Sequence, residues 1–480
     1  VAYGLVAPLQ TSLLSGGPAT ILWRLVLFAN FLLPLSLGEI SSQYPSSSGT
    51  YLWTYMLAPH QYRLLLSWIT GWLVTVGYWV VTLSVTFGIS QLILAGVNIF
   101  SQWEATPWQN YLIFVLVVVL ITSIAIVFDH VLPSLDVVAA VWNFLGTIVI
   151  VVCLSVKAAQ GRHSVTYALT NFSSQSGWTP GWAFFIGLYP VPYTFLGVPC
   201  IATMAEEVHE PSVNIPRAMI WSVPTGCLLG VVYLLPILFT LPDISALLAA
   251  PDGQPTALLF QLIMGSKAGG FGLWIIVFGV AILCSLSITC ATSRATWALA
   301  RDRAVPFHHV FSRLGHARLS DTPVNAYILS ALVQLALGCT YLGSTAAFNS
   351  FIAVSVMCFN ASFVIPILLL LLEGRHSMKG APFSLGLWGY PLNTIAVLWA
   401  VFEIIIMAMP VSVPVQQSDM NYASVIFLGF AVVSAIWYII GGCSITELEV
   451  PLLILAALID GRRKYAGPLT SDEPSNVGSE

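Results

Sequence analysis

Charge is what this sequence has least of. Asp, Glu, Lys and Arg together make up 8% of its 480 residues, about a third of the share that a water-facing protein carries. That scarcity excludes a soluble globule, and a mean hydropathy of +0.88 points to a bilayer instead. Metal-binding and disulfide frameworks are missing as well. The eight cysteines show no CxxC or Cys/His ligand spacing, and Cys153, Cys200, Cys227, Cys284, Cys290 and Cys358 fall inside apolar runs, where they read as packing residues. All eight histidines lie in loops or at the margins of those runs. A membrane-embedded enzyme with a nucleophile and a base on facing helices is therefore disfavoured. The net charge of -4 gives no sign of a nucleic-acid partner, and no cofactor motif is found.

What the sequence does have is repeated apolar runs of helix-spanning length, rather than the alternating ten-residue segments of a membrane barrel. An apolar stub at 1–15 (span 1) precedes runs near 18–40, 64–99, 110–128, 137–156, 182–208, 217–241, 271–300, 323–343, 347–372, 388–410 and 421–441 (spans 2 to 12). The fold class expected is an all-α polytopic membrane protein lying in a lipid bilayer. Span 3 exceeds one straight crossing, so it must tilt or project. Twelve basic residues, among them Arg63, Arg217, Arg294, Arg301, Arg375 and Lys464, fall in or beside the even-numbered connections or the tail, against Lys157, Arg162 and Lys267 on the other side. The bias puts both termini in the cytoplasm. The triplet Asn171-Phe172-Ser173 would then be extracellular. Val1 opens inside an apolar stretch, so the first half of span 1 is expected upstream. In the tail, 442–480, the short apolar piece within 441–459 reads as either an interfacial element or an inserted segment.

Two spans carry interruptions. In span 6, Pro190, Pro192, Gly197 and Pro199 crowd one stretch, and proline removes a donor and clashes with the preceding turn. Backbone groups freed in hydrocarbon need protein or a polar cavity to answer them. The residues predict an unwound section at 195–199, then a half-helix from Cys200 to Val208 whose N-terminus would favour a carboxylate. The bland alternative is a kinked packing helix. The stub carries Gly4 and Pro8 five spans earlier, and paired interruptions in two halves point to an inverted-repeat transporter with a midplane site.

The segments SLLSGGPATILW (12–23), SLGEISSQYPSSSGTYLWTYML (36–57), SWITGWLVTVGYWVVTLSVTFGISQLI (67–93), MAEEVHEPSVNIPRAM (204–219) and TSRATWALARDRAVPF (292–307) resemble the amino acid/choline branch of the amino acid-polyamine-organocation transporters, with fungal permeases for GABA, choline and related amino compounds the nearest-looking members. The resemblance implies a leucine-transporter-like 5+5 inverted repeat plus two further helices, with the first helix truncated here. It implies a first repeat at 1–156, an extracellular loop at 157–181, a second repeat at 182–372 and spans 11 and 12 at 373–441, with a small amino acid or amine cargo between spans 1, 3, 6, 8 and 10. It also implies protons as a coupling ion and a plasma-membrane location.

Carried onto this chain, the resemblance gives a substrate site of Tyr3, Gly4, Gly77, Tyr78, Tyr193, Phe195, Leu196, Gly197, Val198, Pro199 and Thr203. Val198-Pro199 stands where relatives place an aromatic and an acid, and Gly77-Tyr78 where they place Gly-Gln. Fewer polar contacts remain. Tyr78, Tyr193, Phe195 and Trp79 form either an aromatic box for an amine or ordinary packing. Glu206 and Glu207 end span 6 near Arg294 and Arg301, as a gate ion pair or as solvated helix-end acids that want a cation. Arg24, near the start of span 2, is expected to snorkel outward. Glu403 lies deep in span 11, where a carboxylate is a functional candidate by default, although the resemblance puts span 11 outside the cargo cavity. A receptor without transport, or a defective truncated permease, is the competing reading.

Overall fold

The computed structural model describes residues 4, 5, 9–26, 31–101, 103, 105–159, 161–188, 190–205, 208–248, 254–315, 322–416 and 420–440. Its elements are helices throughout, the form that satisfies backbone groups without water. Nine helices among the described residues are long and apolar enough to cross a bilayer. They are spans 3 to 11: Arg63–Asn98, Pro107–Val127, Asp129–Lys157, Pro180–Met204, Pro211–Phe239, Lys267–Arg301, Val324–Gly343, Phe348–Leu372 and Gly386–Ala408. Span 12 follows at Ala423–Ile440. The helix Leu9–Val26 turns at Gly17 (φ 65°), a conformation open to glycine, and this turn separates the stub from span 2, which ends as Leu32–Gln43.

Local chemistry sets several boundaries. Span 4 opens on a capping box, with the Thr106 amide donating to Gln109 Oε1 at 2.9 Å and Pro107 at the first helical position. Span 3, at 36 residues, is about 54 Å long by helical rise against a hydrocarbon core of about 30 Å. It is also the central pillar, since 83% of its most apolar window is buried, against 22% for span 5. Five short α-helices went unforeseen among the described residues: Thr50–Leu57, Val165–Thr170, Ile244–Leu248, Thr256–Met264 and His308–Phe311.

The packing keeps its pattern when each span n is exchanged with span n+5. Spans 2 and 7, 3 and 8, and 4 and 9 touch in pairs; span 3 packs on span 10 as span 8 packs on span 5. This is the relation expected of a 5+5 inverted repeat. The connections sort by parity. At one end, the Ser42 hydroxyl donates to Ser212 O and the Phe383 amide to Ser42 Oγ. At the other, Trp178 Nε1 donates to Pro410 O and the Val413 amide to Ser176 O. There Gly177 has φ 73° and a Cβ would lie 1.8 Å from Val413 O. The seven cysteines within the described residues are free.

Candidate functional site

Span 6 is broken twice. Pro180–Ile186 ends at Gly187, Pro190–Phe195 follows, and after a turn at 196–198 the chain continues as a 3-10 helix, Pro199–Met204. The expected half-helix is thus shorter and tighter. The Cys200 and Ile201 amides donate to Gly197 O and Val198 O at 3.1 and 3.2 Å, so those donors are already satisfied locally rather than held open for a carboxylate. A Cβ on Gly197 would meet nothing within 4 Å. The break therefore owes more to Pro199, which cannot donate to the turn before it.

Beside the break lies a central cavity of about 30 Å³, bounded by Ser47–Tyr51, by Val74, Thr75 and Tyr78 of span 3, by Pro199 and Thr203 of span 6, by Ala295 and Ala298 of span 8, and by Phe359 and Phe363 of span 10. Room for a few waters is all this conformation leaves. Its walls carry hydroxyls and ring faces, with no charged side chain among the lining residues. Tyr78 stands edge-on to Phe359, with centroids 5.1 Å apart. Gly77 lets that ring approach, because a Cβ there would lie 3.1 Å from it.

The residues singled out from sequence divide among several places. Tyr78, Pro199 and Thr203 line the central cavity. Phe195, Leu196, Val198 and again Pro199 line a second cavity toward span 11. Tyr193 lines neither; its hydroxyl meets Ser84 Oγ of span 3 at 2.9 Å. Trp79 turns away to span 8, its indole donating to Thr296 Oγ1 at 3.0 Å, so it is a packing residue and not part of an aromatic box. Gly4 of the stub abuts Thr194, which a Cβ would meet at 3.0 Å, bringing the two interrupted spans together. Tyr3, Glu206, Glu207 and the segment 441–459 lie outside the described residues. Arg294 Nη1 contacts Met204 Sδ at 3.2 Å, at the foot of the broken span. Arg301 meets Asp302 at 3.5 Å and lies over the Trp297 ring at 4.9 Å.

One expectation about buried charge is corrected. Arg24 does not snorkel. It is fully buried and donates to Ser12 Oγ and to Gly187 O, because the first break in span 6 presents a carbonyl that no helical amide answers. Span 11 contributes no residue to the central cavity, as expected, but Glu403 lines the second cavity, of about 40 Å³, together with Leu33, Pro34, Pro192, Asn360, Phe363 and Trp399. Glu403 Oε2 accepts from Asn360 Nδ2 and Oε1 from Trp399 Nε1, each at 2.8 Å.

Sequence reasoning missed two features. The run Ser47–Tyr51 enters the cavity wall, held where the Tyr51 hydroxyl donates to Asp302 Oδ2 at 2.8 Å. Its signal was a Ser/Gly-rich loop too apolar on its far side to stay in water. At the same end, Glu39 of span 2 pairs with Arg375 at 2.6 Å and accepts from the Leu385 amide at 2.9 Å and Ser384 Oγ at 3.0 Å. A third cavity, of about 340 Å³, between spans 3, 10 and 12 is larger than these two, but its lining is almost wholly apolar and includes no residue of span 6. It lacks the convergent polar groups of a cargo site.

The profile of the family described as amino acid permease matches residues 1–432. Among curated proteins, the chain is 30% identical to the amino-acid permease BAT1 of Arabidopsis thaliana, over 92% of this chain and 88% of that protein. It is 31% identical to amino-acid permease 2 of Neurospora crassa, over 95% and 81% of the two chains. It is 25% identical to a choline transporter of Saccharomyces cerevisiae, over 91% and 77%.

Proposed function

The chain belongs to the amino acid permease family, and from that premise we infer that it is a secondary active permease for an amino acid or a related amine such as GABA or choline, working by alternating access around broken spans 1 and 6. The observation that carries this reading is the turn at 196–198, which lines one cavity inside the bundle through Leu196 and Val198 and leads into Pro199, a residue that lines both cavities. Such irregular backbone is tolerated at membrane depth where it lines a cavity. The family and the relatives' names are those of transporters of amino acids and amines.

In this reading the cargo sits against Tyr78, Phe359, Phe363 and Thr203, with its ammonium held by ring faces and hydroxyls. The cavity must widen to admit it, and the segments on either side of the turn supply the motion. At the foot of span 6, Glu206 or Glu207 closes the path as an ion pair with Arg294 or Arg301, and the contact of Arg294 with Met204 supports the nearer of these. The even-numbered connections and both termini face the cytoplasm, on the strength of the basic-residue bias, and the protein resides in the plasma membrane.

Radiotracer uptake in a transport-deficient host tests the function. Choline, GABA and neutral and basic amino acids form the panel. The expected result is saturable uptake of at least one class over the empty host, reduced by Pro199 and Tyr78 substitutions. No uptake and no exchange of any panel member by well-expressed protein would refute it.

A further inference from the structure

Glu403 is a carboxylate deep inside a membrane helix, and its surroundings are unusual for a structural acid. It is 6% exposed and sits on span 11, yet the cavity it lines reaches the turn of span 6 at Phe195, Leu196, Val198 and Pro199. Pro199 and Phe363 line this cavity and the central one alike, so they form the partition between them. Two neutral donors, Asn360 Nδ2 and Trp399 Nε1, hold its oxygens. Among the described residues no cation bridges it.

The elements packed on span 11 are spans 2, 10 and 12, the first segment of span 6 and the turn 386–388. The titratable groups described on them and on the rest of span 6 are Arg24, Glu39, Cys358, Tyr438, Tyr193 and Cys200; Arg24 donates to Ser12 and Gly187, and none of the six bonds to Glu403 or lines its cavity. An ionised carboxylate with two neutral donors and apolar walls is costly in the bilayer core. The charged form thus demands water and space; the neutral form tolerates closure. An amide at Asn360 suits both states, because its nitrogen donates to a carboxylate and its oxygen can accept from a carboxylic acid.

We propose that Glu403 carries the coupling proton, binding it when the cavity is open to one side of the membrane and releasing it on the other, with the span 6 turn as the element its charge moves. This rests on the transport reading. Per cycle one O–H bond forms and the same bond breaks, with no redox partner. Asn360 and Trp399 position the carboxylate, while Pro199 and Phe363 relay its state to the cargo.

The test uses full-length protein in liposomes, with trapped pyranine reporting protons and the radiolabelled panel member that the wild type exchanges. A 1:1 coupling permits about tenfold accumulation per unit of imposed pH gradient. Glu403→Gln should keep counterflow within about threefold of wild type while its accumulation falls to the outside level and cargo-dependent acidification disappears. If Glu403→Gln fails to elute as a single species, Glu403→Asp decides, and a wild-type pH–rate profile for its uptake would overturn the proposal. Accumulation by Glu403→Gln equal to wild type would also overturn it, as would wild-type exchange indifferent to pH. Loss of exchange together with cargo binding would make Glu403 a cargo ligand instead. A wild type that moves no panel member in any assay defeats the transport reading itself.

Discussion

Removing the guanidinium of Arg375 should damage this protein far more than its place in a connection suggests. Arg375 and Glu39 are both buried, at 6% and 0% exposure, and their contact is 2.6 Å. The pair ties span 2 to the connection between spans 10 and 11, 336 positions away. Arg375→Ala leaves Glu39 buried with only the Leu385 amide and Ser384 hydroxyl to answer it. Breaking a buried pair on one side costs about 3–5 kcal/mol. Glu39→Gln should cost less, because Arg375 keeps the Gly386 carbonyl at 3.3 Å and the Tyr390 ring at 5.4 Å. Replacing both by Met should cost less than the two single changes added together, a coupling of about 2 kcal/mol. For a chain of this size those energies correspond to a melting drop of roughly 5 °C for Arg375→Ala. Thermal unfolding in detergent, followed by fluorescence-detected gel filtration, reads it directly. Melting of Arg375→Ala within about 1 °C of wild type, or strict additivity in the double variant, would refute the reasoning.

Other perturbations probe the site and the broken spans. Gly77→Val should drive the Phe359 ring, 3.1 Å from the new Cβ, into the central cavity, raising KM for uptake while leaving the yield of folded protein near wild type. Arg24→Gln should lower the melting temperature, since Gly187 O and Ser12 Oγ lose a charged donor worth about 1.5–3 kcal/mol; a neutral result would restore the outward-snorkelling picture. Glu207→Gln and Arg294→Gln should each speed leak of cargo from the cytoplasmic side in preloaded vesicles, and unchanged kinetics and sidedness in both would remove the gate.

Much of the architecture was legible because hydrocarbon imposes a one-dimensional rule. Twenty apolar residues in a row have to cross, and a proline among them has to be answered, so spans 3 to 11 and the break near Pro199 could be read directly. The details of the break could not. Whether the amides after Pro199 stay open or fold back on Gly197 and Val198 depends on a choice between α and 3-10 turns that differ by one residue of reach. Aromatic residues were equally ambiguous: Trp79 and Tyr78 are adjacent, and only the direction of each side chain sends one to Thr296 and the other to the cavity.

Hydropathy and proline placement determined that this chain is a membrane bundle, about how many times it crosses, and, through Pro199, one of the two breaks in span 6, because those properties follow from solvation and backbone chemistry of single segments. Tertiary structure decided which buried charges meet. Arg24 finds a carbonyl, Arg375 finds Glu39, and Glu403 shares a cavity with the span 6 turn. Lipid tails and protein interiors are almost equally apolar, so a segment's sequence cannot tell which of its faces meets another helix. Only the packed bundle assigns those faces.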